Sequence, residues 1–299
     1  MSPAEEHLAT RRTAGLFDFS FMGLYEFVGG SELQQLQTRR LADLENGQVA
    51  YTLLLKDDGA VLIDATVWRL DHERFWLFAG RRASYGGRDR SGEYAILAVQ
   101  GPASGRILAR LVGTEAVLAL KYFHFVEKQG LVVARLGYSG ELGYELLVPP
   151  GNAARLRQRI LEEGEGEAVC ECGWAAADSL RIEAGYVLFD REVDGRANPR
   201  ELGLERLLST PRNFPLRRRR VGLEIMDRPA QPDLPAQPDL PVAHVTSECL
   251  SPSLGRRIAL GFAAAGTTGE VRLADGRLAR VAPLPFYDPD KARPRAAPL

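Results

Sequence analysis

The chain has 299 residues, 45% of them hydrophobic, enough to bury a core in two or three domains. A net charge of −1 argues against nucleic acid or an anionic membrane as partner. Three cysteines, one pair of them a lone C-x-C at Cys170 and Cys172, give neither a disulfide framework nor a convincing metal site. No apolar run reaches the roughly 18 residues of a spanning helix, and the polar opening Met1–His7 is unlike a secretory signal, so a cytoplasmic protein is expected.

In chain order, residues 5–14 suit a short helix stopped by Gly15. Residues 16–28 alternate enough for one strand with an early irregularity. Gly29-Gly30-Ser31 turns the chain, and Ser31 suits the cap of a helix over 32–41. Residues 48–56, 60–70 and 74–79 are β-prone and are separated by Asp57-Asp58-Gly59 and Asp71-His72, which predicts an antiparallel meander. An Arg-, Gly- and Ser-rich loop follows over 80–93. The chain then predicts a strand over 94–100, a helix over 103–111 and a hairpin over 123–135 turning at Gln129-Gly130.

The hairpin runs into Leu136-Gly-Tyr-Ser-Gly-Glu-Leu-Gly-Tyr-Glu-Leu-Leu-Val148, with glycines at every third position. Glycine permits positive φ and close backbone approach, so this stretch opens as a loop and becomes a strand from Tyr144 until Pro149-Pro150 ends it. Glu145 sits on that strand between apolar neighbours, where a buried carboxylate needs a partner. That partner is either an arginine of the fold or a ligand.

Helices are expected over 152–163 and 173–184, and a loop over 194–203. After Leu207 the composition changes. Arg217–Arg220 reads as a solvated approach to a strand. A tandem Ala-Gln-Pro-Asp-Leu-Pro repeat, within a proline-rich stretch at 229–241, reads as an exposed loop, with a proline-motif ligand as the alternative. Five short β segments, at 221–225, 243–247, 258–263, 270–273 and 278–283, suggest a small barrel. The Pro- and Arg-rich tail from Tyr287 is expected to fray.

The loop Tyr138-Ser-Gly-Glu-Leu-Gly-Tyr-Glu145 resembles the signature of the aminomethyltransferases, the T-protein of glycine cleavage. Collinear segments agree: Glu6–Asp18, Tyr51–Leu55 with Asp58–Asp64, Val99–Pro102, Asp178–Gly185, Val245–Ser247 with Ser251-Pro252 and Ile258–Gly261, and Leu284–Phe286. The resemblance implies an α+β fold, a three-lobed ring around a hole that admits tetrahydrofolate, closed by a C-terminal β-barrel. It divides the chain into a folate-binding region, 1–207, of two interleaved lobes with the second at roughly 48–135, and a barrel, 208–299.

The same resemblance makes Asp64 the catalytic carboxylate, beside a one-carbon group that gains positive charge during transfer. It makes Glu145 the partner of the pterin N–H groups, with Tyr138, Trp76 and Tyr51 near the folate. The residue readings offer a turn-capping acid for Asp64 and ordinary core packing for the aromatic residues. Departures are Phe21 for a family His, Gly80 for Asn, Ala177 for Arg, and one aspartate at Ile63-Asp64 where the family has two.

The function expected is tetrahydrofolate-dependent one-carbon transfer from a small-molecule donor, with a carrier protein left open as a partner. The alternatives are a non-catalytic folate-binding protein, such as the relatives that assist iron–sulfur enzymes, and a scaffold that has lost folate. Those relatives carry a cysteine motif where this chain reads Asn198-Pro-Arg-Glu-Leu-Gly203.

Overall fold

Ser2 and Glu5 form a capping box, and Pro3 enters the first turn, so helix α1 (Pro3–Arg12) starts two residues before the apolar pattern does. These details come from a computed structural model, which describes residues 1–226 and 240–299. The exposed loop expected for the proline repeat lies almost wholly outside the described residues.

The strand expected over 16–28 is two strands, β1 (Gly15–Asp18) and β2 (Gly23–Val28), in different sheets. Asp18 accepts the Ser20 N–H at 3.0 Å and Phe19 O accepts the Met22 N–H at 3.1 Å, so a turn breaks the run. Apolar residues on both sides hide that turn from a periodicity reading. Helix α2 (Ser31–Leu36) is shorter than expected and is preceded by Gly30, not capped by Ser31. Gln37 is extended, its side chain accepts the Arg39 N–H at 2.7 Å, and it bridges to Leu54, which ends the helix.

The meander forms as expected from β3 (Val49–Leu55), β4 (Val61–Arg69) and β5 (Arg74–Ala79). Asp58 and Asp71 accept backbone N–H groups two residues on and close its turns. With β2 and β6 (Arg88–Asp89) it makes a sheet ordered β3-β4-β5-β2-β6.

The chain continues through β7 (Ala95–Gln100), α3 (Ser104–Val112), α4 (Thr114–Ala119), β8 (Phe125–Lys128), β9 (Leu131–Ala134) and β10 (Gly143–Val148). Next come α5 (Ala153–Glu163), β11 (Cys170–Glu171) and α6 (Trp174–Glu183). A second sheet is ordered β11-β1-β7-β10-β9-β8. Residues 48–135 are therefore shared between the two sheets, because β7 pairs with β1 and β10, and β9 with β10 and β8, not with the meander.

The last five strands are β12 (Arg218–Ile225), β13 (Val242–Ser251), β14 (Arg256–Ala264), β15 (Glu270–Leu273) and β16 (Leu278–Ala282). They close a barrel in the order β12-β14-β13-β15-β16 around Leu223, Ala259, Val271 and Ala279. Buried charges on α6 tie it to α1 and the barrel. Arg181 pairs with Glu192 at 2.8 Å and donates to Ser247. Glu183 takes Arg11 at 2.8 Å and lies 3.1 Å from His7. Burial pushes Glu183 up, but its hydrogen bond with His7 and the Arg11 charge outweigh that and hold it at about 2. Among the described residues no helix is long and apolar enough to cross a membrane.

The tail does not fray. Arg293 pairs with Glu141 at 3.2 Å, and the Tyr287 ring lies 4.1 Å from the Arg11 guanidinium and 4.8 Å from that of Arg293. Arg135 donates to Ala296 O at 2.6 Å, and the Pro298 carbonyl fits against α3 only because Gly105 has no Cβ. Its composition suggested fraying because every partner is remote in sequence. Arg293→Ala is expected to cost about 1 kcal/mol, the scale of a part-exposed ion pair, and to speed carboxypeptidase trimming of the tail. Trimming at the parental rate would show that the pair does not pin it.

Candidate functional site

The glycine loop works by contact more than by unusual φ. Only Gly140 is left-handed, at φ 78°, while Gly137 and Gly143 both abut the side-chain amide of Gln100, where a Cβ would collide. The loop thereby delivers its two carboxylates to different surroundings. Glu141 is the structural one, held by Arg11 at 2.9 Å and by Arg293. Glu145 sits in the middle of β10, opposite Ala98 and Ala134. Alternation sends Tyr144, Leu146 and Val148 into one hydrophobic core and turns Glu145 the other way, towards a cavity.

That cavity, of about 340 Å³, is lined from both sheets, the barrel and the tail. Glu145 is 7% exposed and has no side-chain hydrogen bond or ion pair among the described residues. Burial alone raises its carboxyl to about 7. An arginine partner, the structural alternative for Glu145, is therefore not what this site provides.

Asp64 projects into the same cavity from β4. Tyr51, on β3, donates to its Oδ2 at 2.8 Å. Burial raises Asp64 to about 6, against the pull of the Tyr51 hydrogen bond, and the charge of Glu192 adds to the rise. Burial likewise pushes the Tyr51 hydroxyl well above its ordinary value, with the Asp64 charge as the next cause. Tyr138 lines the wall, donates to Val187 O, and lies 5.9 Å from the Tyr186 ring.

Four of the five residues singled out from the sequence, Asp64, Glu145, Tyr51 and Tyr138, thus share one hollow. The fifth does not join them. Trp76 packs behind the wall, 6.4 Å from Trp68, 6.1 Å from Phe78 and 5.5 Å from Tyr94. It is the core residue that the packing alternative describes, because its position on β5 points it into an aromatic cluster.

The departures at Phe21, Gly80 and Ala177 also separate. Phe21 is a rim residue, 45% exposed and edge-on to Trp174 at 5.6 Å. Gly80 lines the cavity where the Phe189 ring fills the place a side chain would take. Ala177 is buried in the core under α6.

Sequence reasoning missed the cavity's cations, Arg206, Arg220, Lys291 and Arg295. Arg220 belongs to a run that reads as solvated, yet strand alternation exposes Arg217 and Arg219 and turns Arg218 and Arg220 inward. A period-two reading of Arg217–Val221 carries that signal. Lys291 and Arg295 carry none, because their position depends on the docked tail.

Comparison with known proteins agrees with this architecture. The family described as the GCVT N-terminal domain matches residues 2–212, and the glycine cleavage T-protein C-terminal barrel domain matches residues 218–288. An aminomethyltransferase of Symbiobacterium thermophilum is 34% identical over 96% of this chain and 89% of its own length. One from Geobacillus kaustophilus is 34% identical over 95% and 90%. The crystal structure of glycine cleavage system aminomethyltransferase T from Bartonella henselae superposes with a TM-score of 0.78 at 28% identity, covering 96% of this chain and 90% of that one. The α+β lobes with a closing barrel are the fold of these proteins, and the chain belongs to the aminomethyltransferase, or glycine cleavage T-protein, family.

Proposed function

We propose that the protein is a tetrahydrofolate-dependent transferase of one-carbon groups, with Glu145 as its pterin anchor and Asp64 as its catalytic carboxylate. The observation that carries this reading is a buried carboxylate, unpartnered among the described residues, facing the same hollow as a second, hydrogen-bonded one. The residues fit the ligand. A pterin offers two neighbouring N–H groups to one carboxylate, and among the described residues neither Glu145 oxygen has a partner. Tyr138 and Tyr186 supply aromatic faces for a flat ring.

Tetrahydrofolate, when bound, supplies the nitrogen nucleophile that accepts the one-carbon unit. The chain's part is to orient and to balance charge. Ionised Glu145 accepts the ring N–H groups and fixes the angle at which the ligand lies. Ionised Asp64 faces the positive charge that develops on the transferred carbon. Tyr51 holds the Asp64 carboxylate in one rotamer and stabilises its ionised form. The apolar rim at Phe21, Trp174 and Phe189 keeps water from the reacting group. That rim favours a small donor bearing an aminomethyl, N-methyl, O-methyl or S-methyl group, and the chemistry is the same when a carrier protein presents it.

Calorimetric titration with tetrahydrofolate, followed by detection of one-carbon folate products with each donor class, tests the proposal. A protein that ignores tetrahydrofolate removes it. Tyr51→Phe is expected to move the acidic limb of the turnover profile to higher pH, because the hydroxyl is what opposes burial at Asp64. A limb at the parental pH would deny Tyr51 that role.

A further inference from the structure

The proposed chemistry leaves Cys170 and Cys172 unused. β11 is the outer strand of its sheet and pairs only with β1, Gly15 standing opposite Cys170 and Leu16 opposite Glu171. Extended backbone continues through Cys172, whose N–H donates to Leu16 O at 2.8 Å. Alternation therefore puts both thiols on one face and sends Glu171 to the other, where it meets Arg157 at 3.1 Å. The two sulfurs lie 3.5 Å apart, and neither cysteine is fully buried. Gly15 makes the room, since a Cβ there would come within 2.8 Å of the Cys172 sulfur. Cys172 also borders a hollow of about 360 Å³ beside the rim at Phe21 and Trp174, through which a small molecule can approach.

The hydrogen bond between the two thiols pulls Cys170 below its ordinary value and pushes Cys172 up. Cys170 is thus the first to ionise, and a thiolate is the nucleophile of disulfide exchange. An S–S bond is about 2.05 Å long, so the sulfurs must close from 3.5 Å. β11 can yield that much. It is hydrogen-bonded on one side only, and its Cys170 N–H reaches Ala14 O at a long 3.3 Å.

We propose that Cys170 and Cys172 are a redox-active dithiol, which closes to an intrachain disulfide by exchange with a low-molecular-weight disulfide of the glutathione type. The Cys170 thiolate attacks one sulfur of the oxidised partner, forms a mixed disulfide and expels a thiolate, which takes up a proton. Cys172 then gives up its proton and attacks the Cys170 sulfur, and the second partner thiol leaves. Two protein thiols are oxidised and one small disulfide is reduced to two thiols. Excess small thiol reverses both steps, so the edge of the sheet follows the thiol–disulfide poise around it. Cys249, on β13, serves as an internal reference, because burial pushes its thiol up to about 12 and keeps it protonated. The reading needs neither Asp64 nor Glu145.

The test equilibrates the full-length protein with mixtures of reduced and oxidised glutathione at neutral pH, alkylates the remaining thiols and weighs the intact chain. In the folded parent the expected product carries no glutathione and keeps one alkylatable thiol of three, that of Cys249. Its closure constant should exceed that of the urea-denatured chain by on the order of tenfold or more, because the fold already holds both sulfurs on one face. Cys172→Ser is expected to stop at the mixed disulfide and retain one glutathione on Cys170, and Cys249→Ser to close as the parent does. The proposal is overturned by three alkylatable thiols at every glutathione ratio, by a parent that ends as a glutathione adduct, by a bond to Cys249, or by equal closure in the folded and denatured chains. An unmodified Cys172→Ser overturns the order of attack.

Discussion

Asp64→Asn is expected to lower turnover by roughly 10²–10³-fold while leaving tetrahydrofolate affinity nearly unchanged. Asparagine keeps the shape and still accepts a hydrogen bond from Tyr51, so the change removes charge and little else. A carboxylate about 4 Å from a unit positive charge, at an effective dielectric of about 20, attracts it by on the order of 4 kcal/mol, which bounds the loss from above. Because burial raises Asp64 to about 6, parental turnover should climb as pH rises through that value. The variant should lack that limb. Normal turnover in Asp64→Asn would dismiss the assigned role, and a matching fall in affinity would recast the residue as a ligand contact.

Glu145→Gln should weaken tetrahydrofolate binding by about 1.5–3 kcal/mol, the worth of hydrogen bonds to a charged group. Glutamine presents one acceptor and one donor to a ligand edge that offers only donors. The same change should stabilise the ligand-free protein. The Glu145 carboxyl titrates near 7 when folded, against an ordinary 4.5. Between those values the folded protein retains a proton that the unfolded chain has released. Stability therefore falls as pH rises through that window and stays lower above it, a penalty of about 3 kcal/mol. Glutamine carries no such penalty, so its advantage should be absent below pH 4.5 and full above pH 7. Denaturant titrations at pH 4 and pH 8 measure it. Parental affinity should also fall below pH 7, whereas that of the variant should not. Equal stability at both pH values would mean that Glu145 has a partner in solution.

The sequence displays what is local and hides what is remote. The meander is legible because aspartates at fixed offsets close its turns, and the barrel because five β-prone segments follow one another, although β12, β13 and β14 run longer than those segments. Asp64 and Glu145 are legible through resemblance, and their apolar neighbours fit the burial of Glu145 and the partial burial of Asp64. The break at Phe19–Met22 is not legible, since a change of sheet between two apolar segments leaves the alternation intact. Trp76 has the right residue type and the wrong direction, because β5 turns it into Trp68 and Tyr94. Composition alone likewise cannot distinguish a docked tail from a frayed one. The partners that dock it, Arg11, Arg135 and Glu141, lie more than half the chain away.

Glu141 joins Arg11, on the first helix, to Arg293, near the last residue. During synthesis α1 must wait for residues nearly three hundred positions later before this knot can be tied. A nascent chain in which residues 287–299 have not yet emerged would therefore have both sheets but an incomplete cavity wall, and would become competent only once they dock.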